Sequence, residues 1–361
     1  MRHKLKVLAL VTEAYGGRGG IACAARDVLE SLSLDPRIDK ISVLPRTAVD
    51  KVEALPAKVH QGIANSSRLT YALNAVFSLR HACDVVFCNH VYMAPLAALA
   101  AKLASARLVI QVHGIEVWEG LSGLRRWALE QADCVVCVSR DTRMRILSQC
   151  DVVPENLVVI PNTVSEAFVP SNRNAAREKF GLKDELVLLA VGRLSAQERY
   201  KGHDRVIDAL PHLLKNHPRA TFLIAGDGDD QARLEALAQA RRLGTHVRFL
   251  GQVPQASLND LYNAADLFVL PSTGEGFGIV FLEAMAAGTP AMGLAIAGAK
   301  DALADGALGV CVDEVRFPAA LDEALSKPMT SGKDLSDAVH QRFGKPVFNV
   351  ALSHLIGRLA A

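Results

Sequence analysis

The sequence lacks a hydrophobic run long enough to cross a membrane. Its longest apolar stretch, Ala94–Ala101, stops at Lys102, whereas a bilayer-spanning helix needs about 20 apolar residues. The N-terminus, Met1-Arg2-His3-Lys4, leads directly into a strand pattern and lacks the small-residue cleavage site of a signal peptide. These absences argue against an integral membrane protein, so any membrane contact is expected to be peripheral.

A disulfide framework is also absent. The chain has seven cysteines, an odd number, scattered through apolar segments without regular spacing. Cys134 and Cys137 form a CxxC pair, but they lie in an apolar strand pattern that would direct the two side chains to opposite faces. The cysteines are therefore predicted to be reduced thiols of a cytoplasmic protein, and no zinc or redox function is predicted for the CxxC pair.

An excess of charge of one sign is missing too, because 40 Lys and Arg residues nearly balance 38 Asp and Glu residues, for a net charge of +2. So small a total predicts no nucleic-acid partner. Residues 1–180 nevertheless carry 22 basic and 17 acidic residues, whereas residues 181–361 carry 18 and 21, which gives +5 and −3. The first half is thus the one expected to meet an anionic surface such as acidic lipid. A solvated surface is the alternative explanation of the imbalance.

What the sequence does have is a repeated alternation of short β-branched or leucine-rich runs with longer amphipathic ones. This alternation is typical of an α/β fold, in which helices cover both faces of parallel sheets. Six strands are predicted in each half, from Lys6–Val11 to Leu157–Ile160 and from Leu186–Val191 to Gly309–Val312. Two such sheets would face each other across a cleft, with ligands bound at the carboxyl ends of the strands.

The alternation breaks at Pro161-Asn162, and the chain stays polar to Asn174. A linker is therefore predicted between about residues 161 and 183. It would separate an N-terminal domain, residues 1–165, from a second domain, residues 180–335, and 361 residues are enough for two such domains.

The stretch most informative about function is Glu275-Gly276-Phe277-Gly278-Ile279-Val280-Phe281-Leu282-Glu283. A helix that begins near Gly278 would place Glu275 in the entry loop and Glu283 on an inward face. The glycines let the backbone approach a ligand, and the first amides of a helix have no intrahelical partner, so they can bind phosphate or sugar oxygens. An anion site flanked by two hydroxyl acceptors suits a nucleotide sugar. The alternative is that Glu275 only favours the helix dipole and Glu283 is solvated.

This run resembles the Glu-x7-Glu motif of the retaining GT-B-fold glycosyltransferases, most closely family 4 (glycosyl transferases group 1), and Ala284-Met285-Ala286-Ala287-Gly288-Thr289-Pro290 continues the likeness. The resemblance covers nearly the whole chain and is strongest from Val191 to Pro290. It implies two Rossmann-like, doubly wound domains that face a central cleft, with C-terminal helices in residues 336–361 that cross back to the first domain.

The same resemblance assigns roles to the residues of the motif. Glu275 is expected to bind the donor sugar together with the backbone amides of Phe277, Gly278, Ile279 and Val280. Glu283 is expected to bind the ribose of the nucleoside.

Two cations follow the first strand of the second domain, Arg193 in Val191-Gly192-Arg193-Leu194 and Lys201 in Tyr200-Lys201-Gly202-His203-Asp204. They could clamp the two phosphates of a nucleoside diphosphate and stabilise the charge that builds up as the glycosidic bond breaks. An exposed basic loop is the alternative. Both positions match the diphosphate-binding pair of the family, whereas Arg199 matches none of its functional positions.

The first domain offers a glycine loop and a histidine. Gly16-Gly17-Arg18-Gly19-Gly20 precedes a helix and departs from the Gly-x-Gly-x-x-Gly spacing of dinucleotide sites, but it would let the backbone wrap an anion. By resemblance, Gly19 and Gly20 lie near the diphosphate and the acceptor. His113 matches the histidine that reaches the donor sugar near the reacting carbon, although a satisfied structural histidine is the alternative. Glu116 is expected to be structural.

Three further segments refine the prediction. Asp227 and Asp229 match the Gly-Asp-Gly turn of the family rather than an Asp-x-Asp metal site, so neither a metal nor another cofactor is predicted. Val253 matches the segment that meets the base. The family often reads Gly-Gly-x-x-Glu where this chain has Ala297-Gly298-Ala299-Lys300-Asp301, and the missing glutamate leaves donor selectivity open.

With the resemblance, the sequence predicts a metal-independent, retaining hexosyltransferase. The donor would be a GDP- or UDP-linked mannose- or glucose-type sugar, and the acceptor a glycan or lipid-linked oligosaccharide of bacterial surface-polysaccharide biosynthesis at the inner membrane face. A nucleotide-sugar epimerase of the same fold and a catalytically silent nucleotide-sugar-binding subunit remain alternatives. A Rossmann dehydrogenase ranks last because the first glycine loop has the wrong spacing.

Overall fold

A computed structural model describes residues 4–17, 19–47, 54–80, 83–121 and 123–360. The chain divides into two compact units, of which the first comprises Met1–Thr163 with Lys345–Ala361 and the second comprises Val164–Gly344. Each unit is built on its own parallel sheet flanked by helices, which confirms the α/β fold with two doubly wound sheets.

The first unit contains a seven-stranded sheet with the strand order β3-β2-β1-β4-β5-β6-β7, paired in parallel throughout. Its elements up to the linker are β1 (Leu5–Val11), α1 (Gly20–Leu34), β2 (Ile38–Pro45), β3 (Val59–Gln61), α2 (Arg68–Ser78), β4 (Val85–Cys88), α3 (Ala94–Ala104), β5 (Arg107–Val112), α4 (Gly123–Glu130), β6 (Cys134–Cys137), α5 (Arg140–Gln149) and β7 (Leu157–Val159). Only β3 was not predicted, because three residues at a sheet edge carry no readable alternation.

The two faces of this sheet carry separate apolar clusters. Along β6, Val135 and Cys137 belong to one cluster, whereas Cys134 and Val136 belong to the other. The CxxC pair is therefore split between opposite faces, as the strand pattern predicted. Both thiols are free, and burial raises their pKa, to about 11 for Cys134 and about 12 for Cys137. Thiols with such pKa values stay protonated at neutral pH.

The second unit contains a six-stranded sheet with the strand order β10-β9-β8-β11-β12-β13, also parallel throughout. Its elements are α6 (Arg173–Lys179), β8 (Leu186–Val191), α7 (His203–Leu213), β9 (Ala220–Ala225), α8 (Gln231–Ala240), β10 (Val247–Gly251), α9 (Gln255–Ala264), β11 (Leu267–Leu270), α10 (Ile279–Ala286), β12 (Ala291–Leu294), α11 (Ala297–Ala302), β13 (Val310–Val312), α12 (Phe317–Ser326) and α13 (Gly332–Phe343). All six strands lie where the sequence predicted them.

The last helix, α14 (Lys345–Leu359), belongs to the first unit although it follows the second in the chain. Phe348, Leu352 and Leu355 are buried in the apolar cluster that contains α1. The Lys345 ammonium pairs with Glu30 at 3.0 Å and also with Asp27, both on α1. Apolar burial and ion pairing therefore both attach this helix to the first sheet layer.

Candidate functional site

The candidate site of the second unit lies where its strand order reverses. Strands β8 and β11 are neighbours, but the chain proceeds from them toward opposite edges of the sheet. Parallel α/β sheets bind ligands at such a switch point, outside the carboxyl ends of the strands. The loop after β8 carries Arg193 and Lys201, and the loop after β11 carries Glu275. The fold therefore brings together the residues that the two motifs singled out.

Backbone contacts join these two loops directly. The Thr273 amide donates a hydrogen bond to the Tyr200 carbonyl oxygen at 2.8 Å. Gly202 has a φ of +75°, and a Cβ atom built there would lie 2.5 Å from the Pro271 carbonyl oxygen. Only glycine fits this position, so the Lys201–Gly202 turn can sit against the start of the Glu275 loop.

One carboxylate pairs with both of the residues that are predicted to bind the diphosphate. Glu198 Oε1 lies 2.5 Å from Arg193 Nη2, and Glu198 Oε2 lies 2.7 Å from Lys201 Nζ. The side chains of Glu198 and Lys201 are 12% and 16% exposed, whereas that of Arg193 is 71% exposed. Glu198 thus fixes the two cations in one place while leaving the guanidinium open to a ligand.

The sequence interpretation missed Glu198. A signal was present, because Glu198 and Lys201 are three residues apart in the sequence, a spacing at which opposite charges meet on a helix. Arg199, between them, pairs instead with Asp230 at 2.9 Å.

The Gly226-Asp227-Gly228 turn contacts the backbone of the loop that carries Arg193. The Leu194 amide donates to the Asp227 carbonyl oxygen at 2.8 Å. A Cβ atom at Gly226 would lie 1.9 Å from the Gly192 carbonyl oxygen, so the two backbones are in direct contact. Asp229 accepts a hydrogen bond from the Ala196 amide at 2.8 Å. The aspartate-rich turn therefore supports the loop that carries Arg193. Within the described ranges, no group of three or more His, Cys, Asp or Glu side chains is arranged to hold a metal.

Glu275 and the start of α10 form the other side of the site. Gly278, with a φ of +93°, precedes the helix, and no side chain caps its first amides. Phe277 and Gly278 are buried, whereas Ile279 and Val280 are half-buried. Burial raises the pKa of Glu275 to about 7, although Lys201 and a hydrogen bond with Ser272 act in the opposite direction. The carboxyl group and the helix amides together could accept and donate hydrogen bonds to a polyhydroxylated ligand.

Glu283 is half-buried on α10 and held by a tyrosine. The Tyr262 hydroxyl donates to Glu283 Oε2 at 2.7 Å. Tyr262 is itself fully buried, and its ring packs edge-on against Phe168 and Phe268. Tyr262 therefore orients the carboxylate that the motif assigned to a ribose. The sequence interpretation missed this residue because it lies 21 positions away in the chain.

The segment that departs from the family pattern supports the Glu275 loop. The Gly298 amide donates to the Glu275 carbonyl oxygen at 2.9 Å, and a Cβ atom at Gly298 would lie 2.2 Å from the Gly276 carbonyl oxygen. The preceding Ala297 has a φ of +49°, in the left-handed region that favours glycine. Farther along the chain, Lys300 Nζ lies 3.9 Å from Asp305 Oδ1. The alanine at 297 thus occupies a backbone position suited to the glycine of the family pattern.

Val253 follows β10 and is half-buried. The carbonyl oxygen of Gly251 accepts a hydrogen bond from the Gly226 amide at 2.8 Å, so this loop begins beside the turn that supports Arg193. The position is compatible with the role predicted for Val253, which stays a prediction.

In the first unit, the glycine loop follows the carboxyl end of β1 and His113 follows that of β5, with β4 between these two strands in the sheet. Gly19 and Gly20 are exposed at the start of α1, and Gly19 has a φ of +89°. His113 is buried, its Nε2 lies 2.7 Å from the Asn89 carbonyl oxygen, and its backbone amide donates to the Glu116 carboxylate at 3.1 Å.

This geometry decides the tautomer of His113. A carbonyl oxygen only accepts, so Nε2 carries the proton and Nδ1 of the neutral ring is an acceptor. Glu116 caps the turn after β5, in keeping with the structural role expected for it. The proposed contact of His113 with a sugar stays a prediction.

Among the described residues, no helix combines the length and apolar character needed to cross a bilayer.

The chain matches two glycosyltransferase family models. The family described as Glycosyltransferase Family 4 matches residues 32–168, and the family described as Glycosyl transferases group 1 matches residues 172–342. The two matches cover most of both units.

Curated relatives resemble part of the chain. A GDP-mannose-dependent alpha-(1-6)-phosphatidylinositol monomannoside mannosyltransferase of Mycolicibacterium smegmatis is 32% identical over 234 residues, which are 61% of this chain and 60% of that protein. A glycogen synthase of Mycobacterium tuberculosis is 34% identical over 227 residues, 62% of this chain and 51% of that enzyme. The match therefore spans between about half and three-fifths of these relatives.

Solved structures share the fold over nearly the whole chain. Anabaena HepE in complex with UDP-glucose superposes with a TM-score of 0.79 at 21% identity, covering 98% of this chain and 100% of that one. WaaG, a glycosyltransferase involved in lipopolysaccharide biosynthesis, gives a TM-score of 0.70 at 19% identity and covers 97% and 99%.

The left-handed backbone at Ala297 generates a stability prediction. We expect Ala297→Gly to raise the free energy of unfolding by about 1 kcal/mol, because glycine removes the steric cost of a positive φ, and this gain exceeds the entropy that glycine adds to the unfolded chain. Ala299→Gly, inside α11, is the matched control and should lower stability. Urea denaturation of both variants measures the effect, and a destabilised Ala297→Gly protein would contradict it.

The raised pKa of Glu275 generates a pH prediction. Protonated Glu275 contributes stability that is fully present below its usual pKa of 4.5 and is lost as the pH rises through about 7. The free energy of unfolding of Glu275→Gln should therefore be ~2 kcal/mol higher than that of wild type near pH 8, and close to that of wild type near pH 4. Denaturant titrations at both pH values test this, with exposed Glu178→Gln as the control. Equal differences at both pH values would show that the carboxyl group is not destabilised by burial.

Proposed function

Because the chain belongs to the GT-B glycosyltransferases of family 4, we propose that it is a retaining, metal-independent hexosyltransferase that uses a nucleoside-diphosphate sugar. The observation that carries the proposal is the arrangement at the switch point of the second sheet. There Glu198 holds Arg193 and Lys201 together, beside the loop of Glu275 and the open start of α10.

In this proposal, Arg193 and Lys201 bind the diphosphate of the donor. Negative charge builds up on the leaving diphosphate as the glycosidic bond breaks, so fixed cations stabilise the transition state more than the ground state. Glu198 holds both cations before the donor arrives, which lowers the reorganisation that the reaction requires. The exposed guanidinium can form two parallel hydrogen bonds with phosphate oxygens.

The remaining residues of the site would bind the sugar, the ribose and the base of the donor. Glu275 would accept hydrogen bonds from sugar hydroxyls, and the amides of Phe277, Gly278, Ile279 and Val280 would donate to sugar or phosphate oxygens. Glu283, oriented by Tyr262, would accept hydrogen bonds from the ribose. The Val253 segment would contact the base, and the roles of Gly19, Gly20 and His113 in the first unit are proposed from the resemblance.

We propose front-face substitution for the transfer step. The bond between the anomeric carbon and the phosphate oxygen breaks, and the acceptor oxygen bonds to the anomeric carbon from the same face. The acceptor proton passes to an oxygen of the leaving phosphate, so no protein base is needed.

Membership of the family does not specify the donor sugar or the acceptor, so both are proposed separately. The mycobacterial relative is named for GDP-mannose and a phosphatidylinositol mannoside, and the Anabaena structure contains UDP-glucose. We propose a GDP- or UDP-linked mannose- or glucose-type donor, and a lipid-linked oligosaccharide acceptor of surface-polysaccharide synthesis. The protein would then work in the cytoplasm, in peripheral contact with the inner membrane.

The diphosphate clamp is tested by removing one cation at a time. Arg193→Ala and Lys201→Ala should each lower kcat/KM by about 10²–10³-fold, because each loses transition-state charge stabilisation. Both should also lose the rise in melting temperature that UDP or GDP causes in wild type. Arg199→Ala, which removes the neighbouring cation that pairs with Asp230, should leave both measurements near the wild-type values.

One outcome would contradict the assignment of the clamp: if Arg199→Ala is as inactive as the other variants, general charge rather than the clamp is responsible. Two further outcomes would contradict the transferase activity. If wild type isomerises the sugar with no acceptor present, the chain is an epimerase, and if it binds donor without turnover, it is a binding subunit.

Retention is tested by the configuration of the product. An α-linked donor should yield an α-linked product, because attack and departure occur on the same face. One-dimensional NMR of the anomeric proton, recorded early in the reaction, distinguishes the two anomers. A β-linked product would exclude front-face substitution.

A further inference from the structure

Helix α2 in the first unit presents apolar side chains to solvent on the side opposite its core face. Tyr71 and Ala75 are buried against the sheet. Leu69, Leu73 and Phe77 recur every four residues on the other side and are 72%, 60% and 57% exposed, and Val76 beside them is 41% exposed. A helix at a water-facing surface ordinarily places polar residues there, so this face is unusual for a freely solvated helix.

The neighbouring helix α3 also exposes apolar side chains. It packs beside α2, and its core side is formed by small residues such as Ala97 and Ala101. Leu99 and Leu103, one helical turn apart, are 47% and 60% exposed. We call the exposed side chains of the two helices the α2–α3 apolar face; it consists of Leu69, Leu73, Val76, Phe77, Leu99 and Leu103.

The charged residues of the sequence stretch that contains this face are predominantly basic. Asp84 is the single acidic residue between positions 54 and 115 in the sequence, and it is occupied by the backbone amide of Lys6 at 2.7 Å. Arg68 is the first residue of α2, Arg80 follows its end, Lys102 lies on α3, and all three are exposed. The Arg80 guanidinium lies 4.0 Å from the centre of the Phe77 ring, so charge and apolar surface are adjacent.

We propose that the α2–α3 apolar face docks on an anionic lipid bilayer, with both helices lying in the plane of the interface. Contiguous exposed apolar patches mark interaction sites. Large apolar side chains can enter the acyl boundary while neighbouring Arg and Lys side chains bind acidic headgroups, a combination that a neutral protein partner does not require. The inference adds a partner surface to the proposed function, but it rests on residues outside the donor site.

Vesicle binding tests the proposal with the full-length protein and no donor. Wild type should co-sediment with vesicles of phosphatidylglycerol and phosphatidylcholine, and binding should fall with added salt and with vesicles of phosphatidylcholine alone. The double variant Leu73→Ser/Phe77→Ser should bind about tenfold more weakly or worse, because two large apolar side chains are lost from the face. Arg68→Gln/Arg80→Gln should weaken binding to the anionic vesicles by a similar factor.

The matched control is Val315→Ser, which removes an apolar side chain that is 94% exposed on the second unit and should leave vesicle binding unchanged. Transfer to a water-soluble acceptor separates this proposal from the proposed activity, because the α2 variants should retain it. The proposal is overturned if wild type binds no vesicles, if all variants bind equally, or if sedimentation shows that the α2 variants abolish a dimer instead.

Discussion

The second unit depends on direct backbone contact where its strand order reverses. At Gly202, Gly226 and Gly298, a Cβ atom would lie between 1.9 and 2.5 Å from a carbonyl oxygen of a neighbouring loop. No other residue leaves room for these contacts. The loops that carry Arg193, Lys201 and Glu275 are consequently held by rigid main chain rather than by adaptable side chains, which is the requirement for a preorganised site.

The charges at this site are balanced unequally. One carboxylate, Glu198, is shared by two cations, and the burial that raises the pKa of Glu275 to about 7 disfavours a second full negative charge beside Lys201. Arg193 and Lys201 thus outnumber the one carboxylate that pairs with both. This arrangement favours an anion, and the partial desolvation of Lys201 strengthens the attraction relative to an exposed pair.

Much of this was readable from the chain. The alternation of apolar runs predicted twelve of the strands, because a strand buried on both faces reads as a continuous hydrophobic run. Glycine spacing and the two glutamates located the donor motif. Glu198 was readable at its helical spacing from Lys201 but was missed, whereas Tyr262 could not be read, since 21 residues of intervening fold bring it to Glu283. The edge strand β3 was missed because it is short. The apolar outer face of α2 was missed because the same helix also carries an apolar stripe, Tyr71 and Ala75, that packs inward.

By itself, the sequence determined the α/β class, the two parallel sheets, the two motifs that carry Arg193, Lys201 and Glu275, and the family resemblance. These depend on local periodicity and on spacing along the chain, which are properties of the sequence. Only the tertiary structure decided which carboxylate holds the cations, that the Asp227 turn supports a loop, that Ala297 adopts a left-handed backbone, and that Asn89 fixes the tautomer of His113. Those outcomes depend on distances between segments remote in sequence, which are set when the sheets pack and bring the ends of non-adjacent strands together.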